Sequence, residues 1–236
     1  MRAQVLSLDG HYADRIMYTA ARTCYSKESP ISIFYNSASK SVEDMEKVIF
    51  KALDAGHLSI AEHYNFNILV EGVSRALTHQ LVRHRHCTFS QQSQRYCKAG
   101  KDGFDYVIPD DIANIPLLKN NFEVAMYSLS ELYNVLMENG IKPEDARAVL
   151  PNACKSNLVV TCNIRELMHI CNERLCTCAQ KEIRTLFNEI RNQAVKSIPW
   201  LSKYLVPKCE MFGYCNEMPN RSCGRKQLKD KLFTSN

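Results

Sequence analysis

The chain has 236 residues, of which 45% are hydrophobic and 23% charged, and its formal net charge is +5 at pH 7. This composition is typical of a folded globular protein and excludes a chain that is disordered over most of its length. No apolar run approaches the ~20 residues that a membrane-spanning helix requires, and Asp9 comes too early for a secretory signal peptide. We therefore expect a cytoplasmic protein with no membrane partner.

Hydrophobic periodicity predicts helices mixed with short strands. In chain order, the expected elements are a strand over 3–8, helices over 11–23 and 41–56, a strand over 64–72, a helix over 74–85, an aperiodic stretch over 87–103, an extended segment over 104–109, helices over 120–140 and 142–151, a strand over 157–163, and helices over 163–174 and 179–198. Because no βαβ rhythm is present, we expect an α+β fold. The expected organisation is a single domain over 1–206 followed by a Cys-rich C-terminal tail over 207–236.

Two of the expected helices begin with a capping signal. Ser41 is followed three residues later by Asp44, the looser Ser-x-x-Asp form of a capping box, and Gly56 is expected to end that helix. Asn163 is followed by Glu166 at the same spacing, so we expect Asn163 to be the N-cap of the helix that it begins.

The stretch Leu77–Cys97 contains an unusual concentration of basic and amide side chains. If the helix continues through Arg85, then Arg83, His84 and Arg85 spread around its end, where they suit a large anionic ligand. Gln80 lies one turn earlier, so its amide can share their site. A solvated basic surface and a nucleic-acid-binding arm are the alternatives at this point.

The loop that follows combines groups suited to a nucleotide. Ser93 and Arg95 are two residues apart, so in an extended segment their side chains point the same way and form a good phosphate-binding pair. The neighbouring amides each offer a donor and an acceptor, as reading a base edge requires: Gln91, Gln92 and Gln94.

Three other segments place polar groups near helix ends or on otherwise apolar helices. They contain His57, Ser59, Glu62 and His63, then Arg147, and finally Asn163, Arg165, His169 and Arg174. A surface role is the ordinary interpretation for any one of these residues taken alone.

Eleven cysteines is a high number, and in a cytosolic chain they are expected to be reduced thiols or metal ligands. The tail residues Cys209, Cys215 and Cys223 are separated by five and seven residues, whereas structural zinc sites usually show C-x₂₋₄-C pairs. Cys171, Cys176 and Cys178 form a second group. We therefore expect no metal.

The segment "RHRHCTFSQQSQRY" resembles the signature of flavin-dependent thymidylate synthases, in which Arg-His-Arg is followed by seven residues and then Ser. Here these are Arg83, His84, Arg85 and Ser93. The segments "HLSIAEH", "ARAVLP" and the Asn-x-Arg-x-Leu…Asn-x-Arg pattern are similar to family segments in order and spacing, and the similarity spans about residues 12 to 205.

The resemblance implies an enzyme that methylates dUMP to dTMP. Methylenetetrahydrofolate is the implied carbon donor, reduced FAD the hydride donor and NADPH the reductant, with tetrahydrofolate released. The implied fold is α+β, with a twisted, largely antiparallel sheet and flanking helices. The implied assembly is a homotetramer whose sites are shared between subunits, with no nucleic-acid partner.

The resemblance also assigns roles to residues. The implied FAD contacts are Ser59, Glu62, Arg83, His84, Arg85, Asn163, Arg165 and His169. The implied dUMP contacts are Gln80, Gln91, Gln92, Ser93, Gln94, Arg95, Arg147 and Arg174. The implied catalytic group is Arg174, His57 and Ser93, with Ser93 favoured as a binding residue over a nucleophile because no histidine base is evident.

This chain departs from the family pattern at several positions. Thr88, Ser90 and Gln91 replace the more common Ser, Asn and Glu, and Cys178 stands where a flavin-contacting His often occurs. The alternative functions are another FAD-dependent oxidoreductase, which would oxidise NADPH regardless of dUMP, and a nucleotide- or nucleic-acid-binding protein without bound flavin.

Overall fold

The computed structural model describes residues 1–6, 10–97 and 103–233. Its strands are β1 (Arg2–Leu6), β2 (Asn65–Ser74), β3 (Thr88–Gln91) and β4 (Lys155–Asn163), which form one small antiparallel sheet in the order β1-β2-β4-β3. The expected α+β class and its antiparallel sheet are therefore confirmed.

Helices contain more of the described residues than strands do. They are α1 (Gly10–Thr23), α2 (Pro30–Asn36), α3 (Val42–Asp54), α4 (Arg75–Leu81), α5 (Asp110–Ala113), α6 (Pro116–Glu138), α7 (Pro143–Ala146), α8 (Ile164–Arg174), α9 (Lys181–Ser197), α10 (Lys208–Phe212) and α11 (Lys229–Phe233). Short 3₁₀ turns occur at Ser37–Ser39, Leu58–Glu62, Arg147–Val149, Pro199–Lys203 and Pro219–Arg221. None of the described helices has the length and apolar character that crossing a membrane requires.

The capping signals in the sequence are confirmed. The Ser41 side chain accepts a hydrogen bond from the Asp44 backbone N–H at 3.1 Å, and the Asn163 side chain accepts one from Glu166 N–H at 2.8 Å. Each bond satisfies a donor that the first helical turn leaves without a partner. Gly56, just beyond α3, has a φ of +85°, which glycine adopts without the steric cost that a Cβ imposes.

The chain divides into two compact units. The first contains Met1–Ala3, Leu69–Arg85 and Phe89–Val160, and the second contains the remaining described residues. In the first unit, a buried cluster of Phe104, Met126 and Cys154 forms part of the core. Gly103 approaches α6 so closely that an added Cβ would lie 2.1 Å from the Ser130 Oγ.

The second unit is built from helices around a buried core that includes Met17, Ile49, Leu167 and Leu186. α1 packs against α3, and α8 packs against α9. The indole N–H of Trp200 donates to the buried Asp14 Oδ1 at 2.8 Å, which connects the Pro199–Lys203 turn to α1.

Two expectations about the Leu77–Cys97 stretch are wrong. The helix α4 ends at Leu81 and does not continue through Arg85, because the His84 backbone N–H bonds to Leu81 O at 3.1 Å and tightens the chain into a turn. The segment from Ser93 to Arg95 is also a turn and not extended, because the Ser93 Oγ accepts from the Arg95 N–H at 3.1 Å.

The strand β3 lies in the stretch 87–103, where no hydrophobic period was expected. β3 alternates between exposed and half-buried residues, a weak period-2 pattern that is only four residues long. After Pro207 the chain forms α10, α11 and a parallel bridge between Cys215 and Leu228. The boundary between a domain over 1–206 and a tail over 207–236 stays a prediction.

Candidate functional site

A cavity of about 770 Å³ in the second unit brings together four of the residues expected to contact FAD. These are Glu62, Asn163, Arg165 and His169, and the apolar part of the wall includes Leu58, Met168 and Phe212. A mainly apolar wall with a few convergent polar groups is typical of cofactor sites.

Helix α8 positions most of these polar side chains. β4 leads directly into its N-cap, Asn163, and the following residues Arg165, Met168, His169 and Asn172 line the cavity. Their spacing of three and four residues places them along one helical face. Leu167, Ile170 and Cys171 are buried and form the apolar side of this helix.

Arg165 and Glu62 form an ion pair at the cavity, with the Arg165 Nη1 donating to the Glu62 Oε1. Their side chains are 51% and 45% exposed, so both groups remain accessible to a ligand. A guanidinium carries five N–H donors, so Arg165 can hold Glu62 and still donate to an anionic group.

The other expected FAD contacts lie elsewhere. Ser59 is exposed at the Leu58–Glu62 turn in the second unit, as is His57 of the expected catalytic group, and neither is part of the cavity wall. Arg83 and Arg85 are exposed in the first unit, whereas His84 is only 5% exposed. The expectation that all three basic residues are exposed is wrong for His84, because the turn after α4 directs that ring inward.

The first unit contains a cavity of about 590 Å³ that Gln92, Ser93 and Gln94 line. These are three of the residues expected to contact dUMP. The opposite wall includes Lys155 and Asn157 of β4, together with backbone at Gly72 and Gly103. Hydroxyl, amide and ammonium groups therefore converge on one space, a combination suited to a nucleotide.

Two of the expected dUMP-binding amides also hold the loop in place. The Gln91 Nε2 donates to the Thr78 Oγ1 at 3.1 Å and the Ser156 Oγ at 3.0 Å. The Gln92 Oε1 accepts from the Asn157 Nδ2 at 3.0 Å. These bonds connect the loop to α4 and β4, so the two amides have a structural function in this chain. Gln80 is half-buried, and its Nε2 donates to Ala76 O at 3.4 Å.

Arg95 and Arg147 both bond to Glu144. The sequence patterns did not single out this residue. The Arg95 Nη2 lies 2.8 Å from the Glu144 Oε2, and the Arg147 Nε donates to Glu144 O at 3.1 Å. Both arginines are exposed. An exposed ion pair is weak, so a phosphate dianion can compete with Glu144 for Arg95.

Arg174 is the last residue of α8 and lines a separate cavity of about 220 Å³ in the second unit. Burial lowers the pKa of Arg174, but guanidinium titrates so far above neutral pH that the side chain stays charged. The same cavity is lined by cysteines from the loop after α8 and from the C-terminal segment.

Sequence reasoning missed several residues of these cavities. Lys155 belongs to β4 and Asn172 to α8, and both lie in elements whose positions were expected. Asn172 follows His169 at a spacing of three, a helical-face signal that was present in the sequence. For Lys155 no local signal exists, because only folding brings it to the same cavity as Ser93.

The chain is similar to several known proteins. The profile of the thymidylate synthase complementing protein family, Thy1, matches residues 7–200. A flavin-dependent thymidylate synthase of Nitratidesulfovibrio vulgaris is 40% identical over 227 residues, covering 92% of each chain. A flavin-dependent thymidylate synthase of Pyrococcus horikoshii is 44% identical over 185 residues, covering 75% of each chain.

A solved structure shares the fold. The UMP/dUMP methylase PolB from Streptomyces cacaoi, bound with 5-Br dUMP, superposes with a TM-score of 0.67 at 24% identity, covering 84% of this chain and 92% of that chain. The family profile covers most of the present chain, and the Nitratidesulfovibrio vulgaris relative matches it over 92% of its own length. This chain belongs to the flavin-dependent thymidylate synthase family.

Proposed function

We propose that this chain is a cytoplasmic enzyme that methylates dUMP at C5 to give dTMP. Methylenetetrahydrofolate is the carbon donor, FAD the cofactor, NADPH the reductant and tetrahydrofolate the second product. The observation that carries the proposal is the family match over residues 7–200. The two polar cavities support the distribution of roles among individual residues.

The cavity at the N-terminus of α8 is the proposed place for part of the FAD. FAD supplies the hydride when it is bound, so the protein's task is to bind, orient and exclude water. Arg165 and the positive end of the α8 dipole favour an anionic group such as the diphosphate. The remaining proposed FAD contacts are Ser59, Glu62, Arg83, His84, Arg85, Asn163 and His169.

The cavity in the first unit is the proposed binding place for dUMP, a dianion near neutral pH. Ser93 and Arg95 would hold the phosphate, and Gln92 and Gln94 would bind the polar edge of the base. Arg147 adds positive charge beside Arg95. The other proposed dUMP contacts are Gln80, Gln91 and Arg174.

Arg174 and His57 complete the proposed catalytic group. A guanidinium against the pyrimidine stabilises negative charge that develops on its carbonyl oxygens, as an oxyanion site does. His57 is exposed, so it can reach folate or substrate. We assign Ser93 to binding, because its Oγ already accepts the Arg95 N–H and no general base is needed for that role.

We also propose the homotetramer with sites shared between subunits. An exposed apolar face of α6 supports this proposal: Leu117, Val124, Tyr127 and Val135 are 50–68% exposed, although the opposite face of the helix is buried through Met126 and Tyr133. A helix that is apolar on both faces is expected where one of those faces meets another chain.

Tritium release from dUMP labelled at C5 tests the proposed function directly. The complete reaction contains the full chain, FAD, NADPH and methylenetetrahydrofolate, and parallel reactions omit one component each. We expect release that requires flavin, reductant and folate together, with dTMP as product.

Other outcomes distinguish the alternatives. A folded, yellow protein that oxidises NADPH at a rate independent of dUMP would contradict the methylation and indicate another flavin oxidoreductase. A folded protein that takes up no FAD would contradict the cofactor assignment as well. Affinity for nucleic acid that falls steeply with salt, in a colourless protein, would favour the nucleic-acid alternative.

A further inference from the structure

Five of the eleven cysteines surround the 220 Å³ cavity at the C-terminal end of α8. They are Cys176 and Cys178 from the loop after α8, and Cys209, Cys215 and Cys223 from the C-terminal segment. This cavity shares Asn172 with the proposed FAD cavity, and the proposed reaction uses none of these thiols. The spacing argument against a metal considered each group of cysteines separately, whereas folding brings the two groups together.

Three potential ligand atoms in this cavity already lie close to one another. The Cys176 Sγ, the Cys178 Sγ and a Glu217 carboxylate oxygen are all within 4.8 Å of each other. In a tetrahedral zinc site with bonds of about 2.3 Å, sulfur ligands are separated by about 3.8 Å. Side-chain rotation over about an ångström therefore brings the three atoms to bonding distance.

A fourth ligand comes from α10. An ion pair between Lys208 and Glu173, at 3.6 Å, holds the start of α10 beside the end of α8. Cys209 lies in α10, which packs against α8, and it lines the same cavity as Cys176 and Cys178. Cys209 is thus the tail thiol best placed to complete a four-ligand set.

The charges around the cavity suit bound thiolates. Five cationic side chains line it, namely Arg174, Lys208, Arg221, Arg225 and Lys226. The carboxylates in the same wall are Glu173 and Glu217. A divalent ion with three thiolates and one carboxylate carries a net charge of −2, which the surplus of cationic groups offsets.

We propose that Cys176, Cys178, Cys209 and Glu217 bind one zinc ion, which fastens the C-terminal segment to the end of α8. Each of the three thiols gives up its proton to solvent on binding, so metal uptake releases protons. The closed set of four protein ligands makes the site structural. None of the four ligands is among the proposed flavin and nucleotide contacts, although Cys178 stands where a flavin-contacting His often occurs in the family. The proposal does not depend on the proposed function, since its test measures bound metal and not activity.

Metal analysis of the full chain tests this proposal without any variant. After growth in zinc-supplemented medium and removal of loosely bound metal on a desalting column, we expect about one zinc per chain. Protein stripped with a strong chelator under reducing conditions should then bind Co²⁺ and show the thiolate-to-cobalt charge-transfer band with the visible bands of a tetrahedral ion. Folded protein with no zinc and no such band would overturn the proposal.

Matched variants identify the ligands. Cys176→Ser/Cys178→Ser should lose the charge-transfer band, and Cys209→Ser should weaken Co²⁺ binding at least tenfold. Cys24→Ser is the control, because Cys24 is an exposed thiol that donates to a backbone carbonyl, as Cys178 does to Arg221 O. An unchanged band in the double variant would overturn the site, and unchanged affinity in Cys209→Ser would overturn the assignment of the fourth ligand.

Discussion

Ser93 has two roles in the proposed dUMP site, one in the turn and one in the cavity wall. Its Oγ accepts the Arg95 backbone N–H at 3.1 Å and also lines the cavity of the first unit. The hydroxyl proton remains available for a phosphate oxygen, since accepting a bond does not use it. The same residue thus shapes the turn and lines the proposed dUMP cavity.

Replacing Ser93 tests whether this residue contributes to dUMP binding or to the chemical step. Ser93→Ala should raise the KM for dUMP about tenfold or more, as expected for a lost hydrogen bond to a charged group worth ~1.5–3 kcal/mol, and should leave kcat nearly unchanged. Steady-state kinetics at saturating folate and NADPH provide the measurement. Ser90→Ala, in β3, is the control and should change neither constant. Loss of turnover with intact dUMP affinity would show instead that Ser93 is a nucleophile.

Replacing Arg165 tests whether the cavity at the N-terminus of α8 binds FAD. Arg165→Gln should weaken FAD binding by roughly 10- to 100-fold, because a charge-assisted hydrogen bond of ~1.5–3 kcal/mol is lost. Calorimetric titration of flavin-free protein gives the dissociation constant. Arg22→Gln, at the exposed end of α1, should bind FAD as the unaltered chain does. Equal affinity in both variants would remove Arg165 from the site.

At the scale of elements, the helix α8 contributes residues to two cavities. Its N-terminal part lines the cavity proposed for FAD. Its last residue, Arg174, lines the cavity that the five cysteines surround. The helix starts where it does because the Asn163 side chain accepts the Glu166 N–H at 2.8 Å. Any change in this cap therefore affects both cavities through the position of one helix.

Two variants distinguish the capping role of the Asn163 side chain from its proposed contact with FAD. Asn163→Ala should lower the free energy of unfolding by ~1 kcal/mol, whereas Asn163→Ser, which still supplies a capping oxygen, should nearly restore it. Denaturant unfolding of the flavin-free protein measures both values. If FAD binding falls equally in the two variants, the amide itself contacts the cofactor, and equal stability of the two variants would contradict the capping role.

A second element-scale interaction predicts a pH dependence. The pKa of Asp54, in α3, is lowered from its ordinary value of 3.8 by hydrogen bonds from Lys203 and then from Tyr204. Because the folded pKa is lowered, the carboxylate stabilises the fold above pH 3.8, and this contribution is lost as the pH falls through the folded pKa.

Asp54→Asn should therefore be less stable than the unaltered chain at neutral pH, and the difference should disappear below the folded pKa. Urea unfolding midpoints at the two pH values measure this effect. The exposed Asp111→Asn, in α5, provides the control and should not change the midpoint. A difference that persists at the acidic pH would mean that packing, and not charge, stabilises this contact.

At the scale of the whole molecule, the exposed apolar face of α6 predicts the assembly. Val124→Lys/Tyr127→Lys should reduce the mass measured by light scattering from that of a tetramer to that of a smaller species, because burying two ammonium groups is costly. Tyr127→Phe keeps the apolar surface and should preserve the assembly. A tetramer in the lysine variant would place the interface elsewhere, and a monomeric unaltered chain would contradict the proposed assembly.

The sequence by itself determined the family, the α+β class, the helix caps and the approximate limits of the longer elements. These features depend on local or contiguous signals: hydrophobic period, a capping side chain three residues from its partner, and four ordered motifs. Glu62, Asn163, Arg165 and His169 line one cavity in the structure, and in the sequence only their motif resemblance, and not their spacing, connects Glu62 with the others.

Only the tertiary structure decided the features that depend on distant partners. α4 ends at Leu81 and the ring of His84 is buried because the turn tightens there, which no hydrophobic period records. Glu144 pairs with Arg95, which lies 49 residues away in the sequence, and its backbone oxygen also accepts from Arg147. Cys176 and Cys178 come within reach of Glu217 because α10 packs against α8. Such contacts arise when buried apolar faces pack together, and local sequence patterns do not encode which distant polar groups then become neighbours.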